Sequence, residues 1–68
     1  MMLTRIVTVN ASQDASRARD ALEALSGVLA ADLLADGRSI RMHQGDRLTR
    51  GDVLAALENA GIGGASIR

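Results

Sequence analysis

Apolar residues recur along this chain in two rhythms, one typical of strands and the other of helices. Residues 3–9 are rich in Ile, Val and Thr and predict a first strand. The sequence does not decide which side of this strand faces the core, because apolar side chains fall on both sides. Ile6 lies on one side, and Leu3, Val7 and Val9 lie on the other. Residues 12–26 predict a helix, because apolar positions recur at spacings of three and four, at Ala11, Ala15, Ala18, Leu22 and Leu25.

Polar residues and a glycine mark the two ends of this helix. Asn10, with Gln13 three residues later, can form a capping box, and Ser12 is the competing N-cap. Gly27 predicts a left-handed stop after the helix, and Val28 is the apolar residue expected to pack behind that stop.

The dipeptide Asp36-Gly37 predicts a hairpin between two further strands, residues 28–35 and 38–44. A type I′ turn needs positive φ at both central residues, and Asp-Gly is a sequence that tolerates it. A two-residue turn at this place pairs Leu33 with Ile40, Ala31 with Met42, and Asp32 with Arg41. The apolar pairs then share one face and the opposite charges share the other, which supports the hairpin.

A second helix is predicted to begin at Thr49. Thr49 as N-cap and Asp52 at the third helical position make a capping-box pair, with Leu48 and Val53 in the staple positions. Gly61 closes this helix and Ile62 packs behind it. The predicted buried stripe comprises Val53, Leu54, Leu57 and Ala60. Residues 65–68 then predict a short last strand.

The resulting order is βαββαβ, which predicts an α+β, ferredoxin-like sandwich. We expect two helices on one face of a four-stranded antiparallel sheet, with the other face open to solvent or to a partner. A chain of 68 residues supports one core, so residues 1–68 are expected to form a single domain.

Composition and charge exclude several kinds of site and partner. The chain has no Cys, Pro, Phe, Tyr or Trp, which excludes disulfides, zinc fingers and aromatic stacking on nucleic-acid bases. The formal net charge is zero and no basic face is evident, so nucleic acid is not an expected partner. No apolar run approaches the ~20 residues of a membrane span, and no signal-peptide pattern is present. We therefore expect a cytoplasmic protein without membrane insertion.

Two segments carry a resemblance to a known family. Residues 22–28 read Leu-Glu-Ala-Leu-Ser-Gly-Val, which resembles the "Leu-x-x-Leu-x-Gly-Val" helix ending of the heavy-metal-associated domain. Residues 52–62 resemble its "Ile-x-x-Ala-Ile-x-x-x-Gly-Tyr" segment. This domain is the fold of small copper chaperones and of the amino-terminal modules of metal-transporting ATPases. The resemblance covers nearly the whole chain and implies the same fold.

The metal motif of that family, Gly-Met-x-Cys-x-x-Cys, is absent. Counting back from Gly27 places Thr8 and Val9 at its Gly and Met, and Ala11 and Asp14 at its two cysteines. Soft Cu(I) needs soft ligands, whereas Asp14 is a hard ligand and Ala11 supplies none. The loop is therefore predicted to be vestigial, with no metal or cofactor; it comprises Asn10, Ala11, Ser12, Gln13 and Asp14.

Without the metal site, the resemblance still implies a surface for docking to a partner. In the resembled family, charge around the metal loop guides docking, which nominates Arg17 and Arg19; the alternative is a solvated helix face. On the expected open sheet face, apolar residues lie beside charged ones and a single histidine lies opposite Ala30. That face is a candidate docking or dimer surface; the alternative is that these are scattered surface residues. The candidate residues are Val7, Leu34, Arg41 and His43, beside Arg5 and Asp32.

Three functions follow. The first is a non-catalytic interaction module in metal transport or homeostasis, which docks to a metal-transporting ATPase or to a second copy of itself. The second is a weak metal binder, in which Asp14, Asn10 and the amino-terminal Met1 and Met2 replace the thiolates. The third is a small-molecule-binding regulatory domain, an idea that rests on fold analogy alone. No activated nucleophile or acid–base pair is evident, so an enzyme is not expected.

Overall fold

The computed structural model describes residues 2–68 and contains six elements in the predicted order. The strands are β1 (Met2–Thr8), β2 (Val28–Leu33), β3 (Ser39–Gly45) and β4 (Ser66–Ile67), and the helices are α1 (Ala15–Glu23) and α2 (Arg50–Asn59). All strand pairs are antiparallel, and the sheet order is β2-β3-β1-β4. The predicted ferredoxin-like βαββαβ fold is confirmed.

Alternation along β1 separates the inner face of the sheet from the open one. Val7 has no exposed surface and pairs with Ile40, which is equally buried. Ile6, on the opposite side of the strand, pairs with the exposed Arg41. The prediction that Val7 lies on the open face is therefore wrong, and Ile6 is the apolar residue there. The strand alone could not decide this, because apolar residues fall on both of its sides.

Arg5 also lies on the inner side of β1 rather than on the open face. It pairs with the buried Met42 in the ladder, and its Nε–H donates to Gln44 Oε1 at 2.9 Å. Gln44 is fully buried, and its Nε2 donates to the backbone oxygen of Leu48 at 2.6 Å. A buried amide needs such partners. Arg5 therefore satisfies a polar group at the edge of the core.

Small and aliphatic side chains from both helices and all four strands form the core. The helices contribute Ala15, Ala18 and Leu22 from α1, and Val53 and Leu57 from α2. Leu54 and Ala60, predicted to be buried, pack against this core but are only partly covered. The remaining buried hydrophobic residues are Val7, Val9, Ala31, Ile40, Met42, Ile62 and Ile67.

The hairpin between β2 and β3 has the predicted register but a different turn. Leu33 pairs with Ile40 and Asp32 with Arg41, as expected. Within the described residues, only glycines have positive φ. Gly37 has φ +72°, but Asp36 does not have positive φ, so the turn is not type I′. Instead, Leu34 N–H donates to Ser39 O at 2.8 Å, and the loop between them has four residues. This longer loop is centred on the same peptide bond, so the register is unchanged.

The carboxylate of Asp36 organises that turn. It accepts hydrogen bonds from Arg38 N at 2.9 Å, from Ser39 N at 2.8 Å and from Ser39 Oγ at 2.6 Å. Ser39 Oγ also lies 3.1 Å from Thr8 Oγ1, so the turn is tied to β1. Side-chain bonds to the backbone of this kind are typical of Asp in turns.

The first helix begins later than predicted. Its N-cap is Asp14, whose Oδ1 accepts a hydrogen bond from Arg17 N at 3.2 Å. Asn10 and Gln13 do form a turn, but it lies before the helix, so neither they nor Ser12 cap it. The second helix begins as predicted: Thr49 Oγ1 accepts from Asp52 N, and Asp52 Oδ2 accepts from Thr49 N at 2.9 Å.

Thr49, which caps α2, and Ser12, which was predicted as a cap but is not one, allow a matched test of helix capping. We expect Thr49→Ala to lower the free energy of unfolding by about 1 kcal/mol, because it removes the side-chain acceptor of the capping box. Ser12→Ala should change it by less than about 0.5 kcal/mol, because Ser12 is exposed and caps no helix. Urea unfolding followed by circular dichroism measures both. Equal losses in the two variants would contradict the assignment of the caps.

The hydrogen bonds of Asp36 and Asp52 determine how the free energy of unfolding changes at acid pH. Hydrogen bonds from the Ser39 hydroxyl and from the Arg38 and Ser39 backbone hold the pKa of Asp36 below its ordinary 3.8. The backbone N–H and the hydroxyl of Thr49 likewise lower the pKa of Asp52. Because these native pKa values are depressed, their stabilisation is complete above pH 3.8 and is lost as pH falls through the lowered values.

Asp36→Asn should therefore flatten the fall of unfolding free energy in the acid range, as measured by urea unfolding at a series of pH values. Ser39→Ala should flatten it in the same direction, because it removes the largest cause of the shift. A profile unchanged in both variants would contradict this account of the turn.

Candidate functional site

The loop of residues 10–14 lies at the end of the sheet where β1 finishes. The turn between β2 and β3 meets it there. Val9 N–H donates to Arg38 O at 3.0 Å, and Arg38 Nε–H donates back to Val9 O at 3.2 Å. Val9 itself is 1% exposed. The residue that leads into the loop is therefore fixed by both its backbone and its burial.

Gln13 ties the loop to itself and to the connection between α2 and β4. Gln13 N–H donates to Asn10 O at 2.9 Å, and Asn10 N–H approaches Gln13 Oε1 at 3.4 Å. The side-chain Nε2 of Gln13 donates to Gly63 O at 2.9 Å, across fifty positions of sequence. These bonds hold the loop in one conformation through the protein's own groups.

Gly64 brings the same connection against Asn10. It has φ +71°, and a Cβ at this position would stand 3.0 Å from Asn10 Nδ2. The left-handed backbone favours glycine here, and a Cβ would in addition displace the Asn10 side chain. The neighbouring Gly63 has neither constraint, because no atom lies within 4 Å of the place of its Cβ.

The positions that would hold thiolates carry no metal-binding arrangement of their own. Ala11 is exposed, and the carboxylate of Asp14 is occupied by capping α1. Among residues 2–68, no group of three or more His, Cys, Asp or Glu side chains is placed to hold a metal ion. These two positions therefore offer one carboxylate and no sulfur or nitrogen ligand, which suits neither a soft ion nor a closed zinc site.

The ligand set proposed for a weak metal binder is split between the two ends of the molecule. Met2 pairs with Gly45 at the start of β1, whereas Asn10 and Asp14 follow its end. Seven residues of strand separate them, about 20 Å at ~3.3 Å per residue. Met2 and Asp14 cannot share an ion, so that combination is wrong. Met1, the remaining member of the set, lies outside the described residues.

Arg17 belongs to the loop end of the molecule. A Cβ at Gly61 would stand 3.8 Å from Arg17 Nη2, so its guanidinium lies beside the end of α2. The carboxyl end of a helix favours a cation. Arg19 is two residues further along, at the middle of α1, and is paired within the helix, at 3.2 Å to Asp20 and 3.4 Å to Glu23. Its charge is thus largely offset, whereas Arg17 is exposed at the loop.

The remaining docking candidates lie on or near the open face. Arg41 pairs with Ile6 on one side and Asp32 on the other, and His43 pairs with Thr4 and Ala30. The predicted position of His43 opposite Ala30 is confirmed. Leu34 follows β2 and is half-buried, in the turn beside the loop. The structure therefore groups Arg17 with the loop, and Arg41 with His43 on the sheet.

A shallow groove of about 380 Å³ lies at the other end of the molecule, between the connection from α1 to β2 and the connection from β3 to α2. Its lining comprises Ser26, Gly27, Gly45, Asp46, Arg47 and Leu48. It is remote from the loop of residues 10–14 and lies at the end of the sheet where Met2 pairs with Gly45.

Three contributors to the loop were not found from the sequence. Arg38 and the pair Gly63 and Gly64 all come from distant segments, and only the folded register brings them to the loop. Gln13 was identified, but for a helix cap rather than for its bond to Gly63. The glycine pair between α2 and β4 is visible in the sequence, but the sequence does not show which segment packs against it.

Comparison with known proteins adds one finding. No family model matches this chain, and no curated protein matches it. Among solved structures, the chain is similar to oxidized MerP from Ralstonia metallidurans CH34, with a TM-score of 0.81 and 19% sequence identity. The match covers 100% of this chain and 99% of the other. The two share the fold over their whole length, and at this identity the likeness extends to the fold alone.

A further finding concerns membranes. Within residues 2–68, neither helix has the length and apolar character needed to cross a bilayer.

The two adjacent glycines provide a test of the loop's contact with the connection between α2 and β4. Gly64→Ala should lower the free energy of unfolding by more than about 1 kcal/mol, because alanine resists positive φ and its Cβ meets Asn10. Gly63→Ala should leave it unchanged or raise it by up to about 1 kcal/mol. Urea unfolding compares the two, and similar effects in both would contradict the described contact.

Proposed function

We propose that this chain is a cysteine-free relative of the heavy-metal-associated domains, which docks to a protein partner in metal transport or homeostasis and carries no ion in its loop. The observation that supports this most is the combination of an intact scaffold with an altered loop. The fold matches MerP over the full length of both chains. The loop, however, has Ala11 and the N-cap Asp14 where the resembled family has its cysteines.

The hydrogen bonds of the loop explain why docking would not need a metal. Gln13 and Arg38 hold the loop to the connection and to the turn on either side of it. A surface that is already ordered loses little conformational entropy when a partner binds. The loop end can therefore present a fixed shape whether or not metal is available.

Charge suggests the chemistry of the partner at this end. Arg17 and Arg38 are exposed on either side of the loop, whereas the carboxylates of Asp14 and Asp36 accept hydrogen bonds from backbone N–H groups of α1 and of the turn. A partner with an acidic surface would be steered towards this end, and charged rims raise association rates. We propose a module of a metal-transporting ATPase as this partner, with a second copy of the chain as the alternative, and a cytoplasmic location for the encounter.

The docking experiment is an NMR titration of the labelled chain. The partner is the amino-terminal module of a metal-transporting ATPase from the same genome, with chelator present so that no metal is shared. We expect shifted resonances in residues 10–17, and an affinity at least fivefold weaker for Arg17→Glu. Arg41→Glu is the matched control, because it reverses the same charge on the open face of the sheet.

Two results would contradict the docking proposal. One is the absence of shifts at any concentration reached, with dilution of the chain alone also leaving the spectrum unchanged. The other is a loss of binding in Arg41→Glu with none in Arg17→Glu, which would move the interface to the open face.

A graft of the missing ligands tests whether the loop corresponds to the family's metal loop. Ala11→Cys combined with Asp14→Cys should let the chain bind one more Cu(I) than the unmodified chain, because two thiolates suit a soft monovalent ion. Native mass spectrometry with a competing chelator measures the added ion. Each single variant is the control and should gain none. A double variant that gains no ion would contradict the correspondence of the two loops.

A further inference from the structure

Three polar or sulfur-bearing side chains share the open face, at the end of the sheet opposite the loop of residues 10–14. Met2 and Thr4 lie on the same side of β1, and His43 lies directly across from Thr4 on β3. The residue across from Met2 is Gly45, which has no side chain. Met2 is 59% exposed, so its thioether is accessible.

The missing side chain at Gly45 makes His43 the neighbour of Met2 on β3. In an antiparallel pair, such diagonal neighbours have Cα atoms about 7–8 Å apart, which long side chains can span. The thioether of methionine stands on three rotatable bonds and adapts to irregular surroundings. The sulfur of Met2 and the imidazole of His43 can therefore converge above Gly45.

Thr4 fixes the orientation of the imidazole. Its Oγ1 lies 3.0 Å from His43 Nδ1. When Nδ1–H donates to this hydroxyl, the lone pair of Nε2 is left for another partner. Metal-binding histidines commonly have their second ring nitrogen held by such a hydrogen bond, which sets both tautomer and direction.

We infer that Met2 Sδ and His43 Nε2 form a two-ligand site for a soft monovalent cation, Cu(I) or Ag(I). Thioether sulfur and imidazole nitrogen are ligands that such ions accept, and no carboxylate belongs to the pair to favour a hard ion. The site lies a full strand length from Ala11 and Asp14. It therefore goes beyond the proposed docking function, and neither depends on the other.

The neighbouring charges are compatible with a bound monovalent ion. Arg41 is the next residue of β3 on this face, and it pairs with Asp32 across the sheet. Arg5 points to the inner side, where it bonds to Gln44. The neighbouring cation on β3 thus has a carboxylate beside it.

Silver(I) is the probe for this site, because it does not change oxidation state. We expect one Ag(I) per chain by native mass spectrometry, with shifts of the Met2 methyl and the His43 ring in NMR spectra. Met2→Leu and His43→Gln should each abolish the specific adduct and both NMR signatures. Thr4→Val should keep the ligands but weaken binding roughly tenfold, as expected for loss of a supporting hydrogen bond.

Met42→Leu is the matched control, because this methionine is fully buried in the core and its sulfur is enclosed. Its Ag(I) binding should equal that of the unmodified chain. An adduct that survives in Met2→Leu or in His43→Gln would overturn the inference, as would the absence of any adduct in the unmodified chain. Because the docking titration is done under chelator, its failure and the failure of this site are separate results.

Discussion

The ladder between β1 and β3 is the interaction on which the rest of this structure depends. It runs from Met2 and Gly45 at one end to Thr8 and Ser39 at the other. Because side chains alternate along a strand, this single register decides which residues face the helices. It also decides what lies at each end of the sheet: the ordered loop at one, and Met2 beside His43 at the other.

The fold was predictable from the sequence wherever one local rule acted without a competitor. Thr49 and Asp52 form a capping box whichever core the helix packs on, so the start of α2 was predicted correctly. The hairpin register was also predictable, because any loop centred between Asp36 and Gly37 gives the same pairs. The type of turn was not predictable in this way, because Asp36 bonds to Ser39 instead of adopting positive φ.

Predictions failed for features that are determined by tertiary contacts and not by local sequence. The face of Val7 depends on the partner strand, and β1 itself has apolar residues on both sides. The start of α1 was predicted at Asn10 or Ser12, whereas the structure caps the helix with Asp14 and leaves Gln13 available to bond to Gly63. The absence of cysteine from the loop was visible in the sequence, whereas the groups that hold the loop in place come from segments far along the chain.

The hydrogen bonds of Asp36 also bear on how this chain ages. Asp-Gly is the aspartyl dipeptide most prone to succinimide formation, in which the glycine nitrogen attacks the side-chain carboxyl carbon, water leaves, and hydrolysis can give an isoaspartyl linkage. Here Gly37 N–H donates to Leu34 O at 3.1 Å, and the three donors on Asp36 hold its carboxylate in place. The same bonds disfavour the protonated acid that this reaction consumes. The folded turn therefore protects its own backbone from a covalent lesion to which the unfolded chain is exposed.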